Sequence, residues 1–464
     1  MAEQEYTAPP DGWRTFLIVW VTQALSVFGS AITGFATTIW LTQVAYPAPE
    51  QRQELAFALS AVGLAFFTSG LIAAPIGGAW ADRADRKRTM IIMDTVSGLV
   101  SVVLIALLLA DALNLWLLLG LLVVAGVANT FHDSAFDASY AMLVPPERLP
   151  RANGMMQTIW ALSGIFSPAL AATIIALPAL ARQGNLPDPP AGWLAGLQNG
   201  VPLAIAVDVV TFLIAVGVLL MVRIPSPQRV DLRADSDEPK PSIWDDVRQG
   251  GLFIWHRRSM LWLLGTFTVV NFASAPASVL MPLLVKYNLA ADWTALNFTY
   301  ETALALVSSV VGVGGVLGGF AMSVWGGLRT RRIYGVLVPM IIAAVAQIVF
   351  GFTSLLYVAA GASLVMTAMI PLLNAHSQSI WQTQTPREMQ GRVFSVRRVI
   401  AQFTAPIGTI VAGVTGGVFN PGVVIAVMGV IMLVFCTAQL FNRALLRVED
   451  KAWLDEMAAR RAAA

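Results

Sequence analysis

Residues 77–88 read Gly-Gly-Ala-Trp-Ala-Asp-Arg-Ala-Asp-Arg-Lys-Arg and separate two long apolar stretches of the chain. The glycine pair that opens this run, Gly77 and Gly78, recurs 241 residues later as Gly318 and Gly319, again at the end of an apolar stretch. A constant offset between corresponding features indicates an internal repeat. The chain is therefore predicted to consist of two halves with similar structures.

A second group of residues repeats at the same offset, after another pair of apolar stretches: Pro145, Glu147 and Arg151 correspond to Pro386, Glu388 and Arg392. Most of the apolar stretches exceed the roughly 20 residues that a helix needs to cross the hydrocarbon region. The predicted helix cores are 15–41, 56–81, 89–110, 115–143, 155–180, 200–222, 260–285, 302–325, 333–352, 355–381, 396–418 and 422–442. We predict an all-α membrane protein with twelve transmembrane helices in two pseudo-symmetric six-helix bundles.

Composition and charge support a multi-pass membrane protein. The 464 residues are 57% hydrophobic and only 12% charged, whereas about a quarter of the residues in a soluble domain are charged. Of the 29 Lys and Arg residues, all but Arg52, Arg182 and Lys286 fall on the side of the N-terminus. Because cytoplasmic loops carry the excess of positive charge, both termini are predicted to be cytoplasmic, in the inner membrane of a bacterium.

The predicted domains are an N-terminal bundle over 1–222, a cytoplasmic linker over 223–259, a C-terminal bundle over 260–442 and a cytoplasmic tail over 443–464. The linker begins as a charged, Pro-rich segment and ends in an amphipathic stretch, which we expect to lie as a helix on the inner leaflet. The tail is expected to form a second surface helix over 443–461.

The charged loop resembles the cytoplasmic signature loop of the major facilitator superfamily, Gly-x-x-x-Asp-Arg-x-Gly-Arg-Lys/Arg. The matching residues are Gly78, Asp82, Arg83 and Arg86, whereas Asp85 stands where the family has Gly. The resemblance implies a conformational latch, in which Asp82 faces the positive N-terminal end of a helix and pairs with Arg86. The latch is the preferred interpretation for Asp82 and Arg86, whereas a role in topology alone is preferred for Arg83, Lys87 and Arg88.

The other residues assigned to this latch are charged and follow or begin helices on the cytoplasmic side: Asp94, Glu147, Arg151, Glu388 and Arg392. Asp94 begins the third helix and is expected to pair with the cations of the signature loop, in a structural role. The second half has Ser323 at the position of Asp82, so only the first half is expected to carry a complete latch.

Further segments of this chain resemble a narrower branch of the same superfamily. Residues 131–145 read Phe-His-Asp-Ser-Ala-Phe-Asp-Ala-Ser-Tyr-Ala-Met-Leu-Val-Pro and look like the end of helix four in macrolide-efflux-like and siderophore-exporter-like facilitators. The segments 151–154 (Arg-Ala-Asn-Gly), 208–212 (Asp-Val-Val-Thr-Phe) and 391–395 (Gly-Arg-Val-Phe-Ser) are similar to the same branch. The resemblance covers nearly the whole chain and implies proton-driven export, without giving the substrate.

Ionisable residues inside predicted spans mark the candidate proton-coupling site, because a charge in the bilayer costs about 2.5–3.5 kcal/mol or more. Asn129, Asp133 and Asp137 form one stripe on helix four, at a spacing of four residues. Asp133 is expected to carry the proton, and a fixed pairing with Arg151 or Arg397 is the alternative, particularly for Asp137. Asp208 in helix six is either a second protonation site or a contact to a neighbouring helix.

Polar residues on helices 1, 4, 7 and 10 predict a substrate cavity, because the resemblance implies that these equivalent helices line the centre of the fold. The assigned residues are Gln23, Ser30, Thr33, Asn129, His132, Asn271, Ser274, Asn374 and Gln378. Hydrogen bonds between helices are the alternative for each stripe, and helix packing is the alternative for His132. The stripes contain acids and no central Lys or Arg, which favours a neutral or cationic substrate over an anion.

Together these features predict a monomeric transporter that exports lipophilic, drug-like small molecules in exchange for protons, with the bilayer as its surroundings. The alternatives are a lipid or lysolipid flippase on the same fold, or a non-transporting membrane sensor. The sequence contains no metal-ligand cluster, nucleotide-binding loop or nucleophile constellation. We therefore expect neither enzymatic activity nor a cofactor, and no nucleic-acid partner.

Overall fold

The computed structural model describes residues 9–81, 84–187, 190–224, 243–386 and 389–462. Within these residues, twelve helices are long and apolar enough to cross a membrane, which confirms the predicted all-α membrane fold. The spanning helices are α1 (Gly12–Trp40), α2 (Arg52–Ala81), α3 (Arg86–Leu109), α4 (Leu115–Leu143), α5 (Leu149–Arg182), α7 (Val201–Met221), α9 (Arg258–Leu283), α11 (Tyr300–Trp325), α12 (Tyr334–Phe352), α13 (Leu356–Gln384), α14 (Gln390–Val418) and α15 (Pro421–Gln439). The shorter helices are α6 (Pro190–Ala195), α8 (Ile243–His256), α10 (Ala290–Ala295), α16 (Arg443–Leu446) and α17 (Lys451–Ala462).

Two compact units share the chain, apart from the residues that the structure does not describe. Unit 1 comprises Met1–Ala48, Ala61–Arg233 and Leu304–Ser309, and unit 2 comprises Pro49–Ser60, Ala234–Ala303 and Val310–Ala464. The N-terminal end of α2 thus belongs to unit 2, where Arg52 Nε donates to the carbonyl oxygen of Gly417 at 3.1 Å. A short segment of α11 belongs to unit 1.

Side-chain caps define where several of these helices begin. Asp85 precedes α3 and accepts a hydrogen bond from the backbone N–H of Arg88 at 3.0 Å. The backbone of Asp85 is extended, with φ −66° and ψ 109°, so this position does not require glycine. The departure from the family loop is therefore accommodated as a helix N-cap. Asn114, Thr299 and Asn420 cap α4, α11 and α15 in the same way.

In unit 1, α1 packs mainly on α7 and α5, while α3 packs between α7 and α4. Small residues bring α2 close to α4: a Cβ at Gly77 would lie 3.2 Å from Ser134 Oγ, and one at Gly70 would lie 3.1 Å from Thr130 Oγ1. Close approach through glycine is typical of helix packing in membranes, where van der Waals contact replaces the hydrophobic driving force.

In unit 2, α9 packs on α14 and α15, and α12 packs on α13 and α15. The C-terminal segments lie against α8 and α9. Ser259 donates a hydrogen bond to the carbonyl oxygen of Ala444, and Arg257 forms an ion pair with Asp455 at 2.8 Å. The predicted tail helix is present as two helices, α16 and α17, which are separated by residues 447–450.

Candidate functional site

The predicted polar stripe is present on one face of α4. Asn129 Nδ2 donates to Asp133 Oδ2 at 2.9 Å, one helical turn away. Asn129 and Asp137 are exposed on unit 1, and Asp133 is partly buried. Among the described residues, no Lys or Arg forms an ion pair with either carboxylate. The stripe therefore presents two carboxylates on an apolar helix with an amide as the nearest hydrogen-bonding partner.

The alternative pairing of these acids with Arg151 does not occur. The Arg151 guanidinium stacks over the Trp13 ring, with 5.5 Å between Cζ and the ring centroid, and Arg148 lies over the same ring at 5.2 Å. Glu147 is exposed, and it makes no ion pair with Arg151. The segment that follows α4 is thus held to α1 by cation–π contacts rather than by the charges of Asp133 and Asp137.

His132 is buried at 6% exposure and connects three helices of unit 1. Its Nδ1 lies 2.9 Å from Asp94 Oδ1 on α3, and its Nε2 lies 2.8 Å from Gln23 Oε1 on α1. The expected pairing of Asp94 with the loop cations is therefore wrong, because Asp94, which is 4% exposed, contacts His132. His132 makes the contacts between helices that are the alternative to lining a cavity. The contact forms because α3 turns Asp94 inward, towards α4.

Asp208 is 3% exposed on α7 and is bound by hydroxyl groups from two other helices. Ser30 Oγ on α1 donates to Asp208 Oδ1 at 3.1 Å, and Ser101 Oγ on α3 donates to Asp208 Oδ2 at 2.8 Å. No described Lys or Arg forms an ion pair with this carboxylate. Gly29 allows the close approach of α1, since a Cβ there would lie 2.9 Å from Asp208 Oδ1.

Ser30 and Thr33, which the sequence predicts to line a cavity, lie beside the Asp208 carboxylate of unit 1. Ser30 remains exposed while its hydroxyl binds Asp208. Thr33 follows it by three residues on α1 and is partly buried, and its hydroxyl makes no hydrogen bond with any described atom. Ser30 therefore links the buried carboxylate to an accessible surface of unit 1.

Arg86 holds the signature loop to the end of α4. Its Nε donates to the carbonyl oxygen of Ala81 at 3.0 Å, and one Nη donates to the carbonyl oxygen of Ala138 at 2.9 Å. The predicted latch residues Asp82, Arg83 and Glu388 lie outside the described residues. A Cβ added at Gly78 would meet no atom within 4 Å. The structure thus assigns Arg86 to backbone carbonyl groups, which a planar guanidinium can bind through several N–H donors.

Lys87 has a structural contact that the sequence did not indicate. Its Nζ donates to the carbonyl oxygens of Leu220 and Val222, at 3.2 and 2.8 Å. These carbonyl groups lie at the C-terminal end of α7, where the helix leaves them without internal partners. Lys87 therefore caps α7, in addition to any role in topology.

The polar residues of unit 2 are mostly engaged with neighbouring helices. Asn271 Nδ2 on α9 donates to the carbonyl oxygen of Ala401 on α14 at 2.8 Å, and Ser274 Oγ donates to the carbonyl oxygen of Asn271 at 3.4 Å. Asn374 is exposed on α13. Arg392, predicted as a latch residue, donates to Gln249 Oε1 of α8 at 2.6 Å.

Arg397 on α14 is a cation that binds the predicted polar stripe of α13. The stripes themselves contain no Lys or Arg, so no cation is expected there from the sequence. Its two Nη groups donate to Gln378 Oε1 at 2.7 Å and to Ser377 Oγ at 3.3 Å. The guanidinium also lies over the Trp381 ring, 5.1 Å from the centroid. No clear signal for this contact exists in the sequence, because Arg residues are common at the cytoplasmic ends of spans.

Comparisons with known proteins agree with this architecture. The family model described as Major Facilitator Superfamily matches residues 19–409. Macrolide efflux protein A of Streptococcus pyogenes is 24% identical over 409 residues, which cover 87% of this chain and 89% of that protein. Multidrug efflux pump Tap of Mycolicibacterium fortuitum is 26% identical over 393 residues, which cover 80% of this chain and 84% of that protein.

Among solved structures, a bacterial homolog of the human lysosomal transporter Spinster is similar with a TM-score of 0.60 at 16% identity. The similarity covers 98% of this chain and 96% of that chain. At this level of identity, the likeness shows a shared fold.

Proposed function

We propose that this chain, which belongs to the Major Facilitator Superfamily and is a multi-pass membrane transporter, exports lipophilic neutral or cationic small molecules in exchange for protons. The sorting of Lys and Arg supports a location of both termini on the cytoplasmic side, and the similarity to efflux proteins of bacteria supports a bacterial cytoplasmic membrane. The proposed functional form is a monomer, because the internal repeat supplies within one chain the two halves that alternating access requires.

The observation that carries this proposal is the pair Asp133 and Asp137, which forms no ion pair with any described Lys or Arg. A fixed charge inside a bilayer is costly, so an acid there needs a cation, a proton or a substrate to neutralise it. With no Lys or Arg bound to these side chains, a proton and a positively charged or hydrogen-bonding substrate become competitors for them. Competition of this kind couples the outward movement of substrate to the inward movement of protons.

The proposed substrate class follows from the same face of α4. An exposed acid next to apolar side chains favours an amphipathic molecule with a basic or hydrogen-bonding group. The similarity to proteins named for macrolide and multidrug efflux supports a large lipophilic compound. Arg397 does not oppose this assignment, because Gln378, Ser377 and Trp381 already surround its guanidinium.

The test uses the full chain in proteoliposomes with radiolabelled erythromycin, a macrolide with a basic amine, as the probe. Accumulation driven by a pH gradient is compared with erythromycin exchange at equal pH on both sides. In the Asp133→Asn, Asp137→Asn double variant, we expect gradient-driven accumulation to be lost, whereas exchange continues at a lower rate because the amides no longer attract the basic amine. An amide of the same shape cannot carry the proton, but it retains the hydrogen-bonding capacity for a ligand.

Asp111→Asn is the matched control. Asp111 follows α3 with φ 52°, a left-handed conformation that Asn also adopts readily, and it lies outside the stripe. This variant should accumulate erythromycin like the wild type. Undiminished gradient-driven accumulation in the double variant would contradict the role of both acids.

A further inference from the structure

Unit 1 contains two buried polar clusters besides the exposed stripe. The histidine cluster consists of Gln23, Asp94 and His132, which lie on α1, α3 and α4. The Asp208 cluster consists of Ser30, Ser101 and Asp208, which lie on α1, α3 and α7. Each cluster therefore takes one member from α1 and one from α3, and each contains a carboxylate without a described Lys or Arg partner.

The two clusters occupy the same faces of α1 and α3 at different heights. Gln23 precedes Ser30 by seven residues on α1, and Asp94 precedes Ser101 by seven residues on α3. Seven residues make two helical turns, or about 10.5 Å along the axis, and return a side chain to the same face. The clusters are thus two turns apart along a common pair of helices.

Ser26 lies between the clusters on α1. It follows Gln23 by three residues and precedes Ser30 by four, so its axial separations are about 4.5 and 6 Å. Ser26 is only 6% exposed, and its hydroxyl makes no hydrogen bond with any described atom. A buried hydroxyl without a partner is unusual, because an unmade hydrogen bond costs free energy. It can both accept and donate a proton.

The geometry of His132 suits a group that gains and loses a proton. Its Nδ1 faces a carboxylate oxygen and its Nε2 faces the amide oxygen of Gln23. Only an imidazolium donates from both nitrogens at once. When the ring is neutral, a half-turn of the Gln23 amide presents its NH₂ group to Nε2. Both protonation states of Nε2 therefore have a hydrogen-bonding partner in Gln23.

Few other charged groups lie on the helices that surround the clusters. On α4 they are Asp133 and Asp137, with the phenol of Tyr140 as a further titratable group. On α3 they are Arg86, Lys87 and Arg88 at the cytoplasmic start of the helix, and α1 contributes only Arg14, near its beginning. On α7 the only one is Asp208 itself, and α5, which also packs on α1, carries Arg151 and Arg182 near its two ends. Within the described part of these helices, His132 is therefore the only basic group placed among the buried carboxylates.

We propose that the two clusters and Ser26 form a proton path through unit 1, with the His132–Asp94 pair and Asp208 as its two proton-binding sites. In one transfer, the imidazolium of His132 releases a proton from Nε2, and the Ser26 hydroxyl accepts it while passing its own proton towards Asp208. The transfer requires a bridging water wherever a gap between these groups exceeds a hydrogen bond. His132 ends neutral, and Asp208 ends as a carboxylic acid. Exposed Ser30 provides the contact of Asp208 with the surface of unit 1.

This inference rests on the proposed proton-coupled transport, and the same proteoliposomes test it. Ser26→Ala removes the hydroxyl between the clusters with little change in volume. Because a positioned proton-transfer group contributes about 10²–10⁴-fold to a rate, we expect gradient-driven erythromycin accumulation to slow by about tenfold or more. Exchange at equal pH should change by less than about twofold. Ser26→Thr, which restores a hydroxyl, should recover the accumulation rate.

The matched control is Ser139→Ala. Ser139 is buried at 2% exposure on α4, and its hydroxyl is bonded to the carbonyl oxygen of Ala135 in its own helix, at 2.6 Å. This variant removes an equally buried hydroxyl that lies outside the path. Asp208→Asn and His132→Gln complete the series, and both should lose accumulation while they retain exchange.

The outcomes separate this inference from the proposed function. If wild-type protein exchanges erythromycin but a pH gradient does not drive its accumulation, the proposed function fails together with the path. If the wild type accumulates erythromycin and Ser26→Ala behaves like Ser139→Ala, the path is wrong and the proposed function stands. If Ser26→Ala lowers both rates equally together with the thermal unfolding midpoint, its hydroxyl has only a packing role, and the path is also overturned.

Discussion

Gly318 and Gly319 lie near the C-terminal end of α11 and have different surroundings. The same substitution at these two adjacent glycines should therefore have different effects on stability. Gly318 is buried against α13, and a Cβ there would lie on the backbone of Ala368, 2.8 Å from its carbonyl carbon and 2.9 Å from its Cα. A Cβ at Gly319 would meet no atom of a neighbouring helix within 4 Å. The perturbation is a single methyl group, introduced as Gly318→Ala or as Gly319→Ala.

The two variants should change stability in opposite directions. Replacing glycine by alanine inside a helix stabilises it by about 0.5–1 kcal/mol, because the unfolded chain loses conformational freedom. Overpacking a filled site costs about 1–3 kcal/mol, and a backbone neighbour cannot move aside as a flexible side chain does. The expected net effect is a loss of about 1–2 kcal/mol for Gly318→Ala and a gain of about 0.5–1 kcal/mol for Gly319→Ala.

Unfolding of the full chain by sodium dodecyl sulfate in mixed micelles, followed by circular dichroism, measures this difference. Gly77→Ala provides an intermediate case, because the new methyl group would meet the Ser134 hydroxyl at 3.2 Å, and that hydroxyl can rotate. The expected order of stability is Gly319→Ala, then Gly77→Ala, then Gly318→Ala. Equal midpoints for Gly318→Ala and Gly319→Ala would refute the packing argument.

Three further substitutions test local contacts. His376→Ala should raise hydrogen exchange at Leu328, whose backbone N–H donates to the imidazole Nε2 at 2.8 Å, by destabilising the loop by about 1–3 kcal/mol. Asp85→Ala should lower the thermal unfolding midpoint, since losing an N-cap costs about 1 kcal/mol; Asp85→Asn should preserve it. Arg86→Gln should lower the midpoint further, because the carbonyl group of Ala138 loses its charged donor, a bond of about 1.5–3 kcal/mol.

Each of these three predictions has an outcome that would contradict it. Unchanged exchange in the loop after α11 would mean that the two left-handed glycines at its start, Gly326 and Gly327, suffice to hold it. Equal midpoints for Asp85→Ala and Asp85→Asn would show that the cap does not stabilise α3. A midpoint for Arg86→Gln no lower than that of Asp85→Ala would show that the guanidinium contributes little.

The spans were predictable because their signal is local. A helix in hydrocarbon must satisfy its backbone internally and must be long enough to cross. Both requirements depend only on consecutive residues of the sequence. The twelve predicted apolar stretches therefore correspond to the twelve spanning helices found among the described residues. The stripe of Asn129, Asp133 and Asp137 was predictable for a similar reason, since a spacing of four residues defines one face of one helix.

The partners of the buried polar groups were not predictable in the same way. Asp94 is close in sequence to the cations of the signature loop, but it lies against His132 of α4. Lys87, interpreted from the sequence as a topological charge, also caps α7. For Asp208 the sequence permits either a second protonation site or a contact to a neighbouring helix. Only the structure identifies its hydroxyl partners on α1 and α3.

The sequence by itself determined the number and length of the spans, the repeat, the sorting of charge and the face of α4 that carries the acids. Only the tertiary structure decided which helix each polar face meets and at what height. The physical reason is that helix rotation and register depend on close packing of small residues such as Gly29 and Gly77 against neighbouring helices. A shift of one residue along a helix turns a side chain by about 100°, enough to exchange a buried partner for lipid.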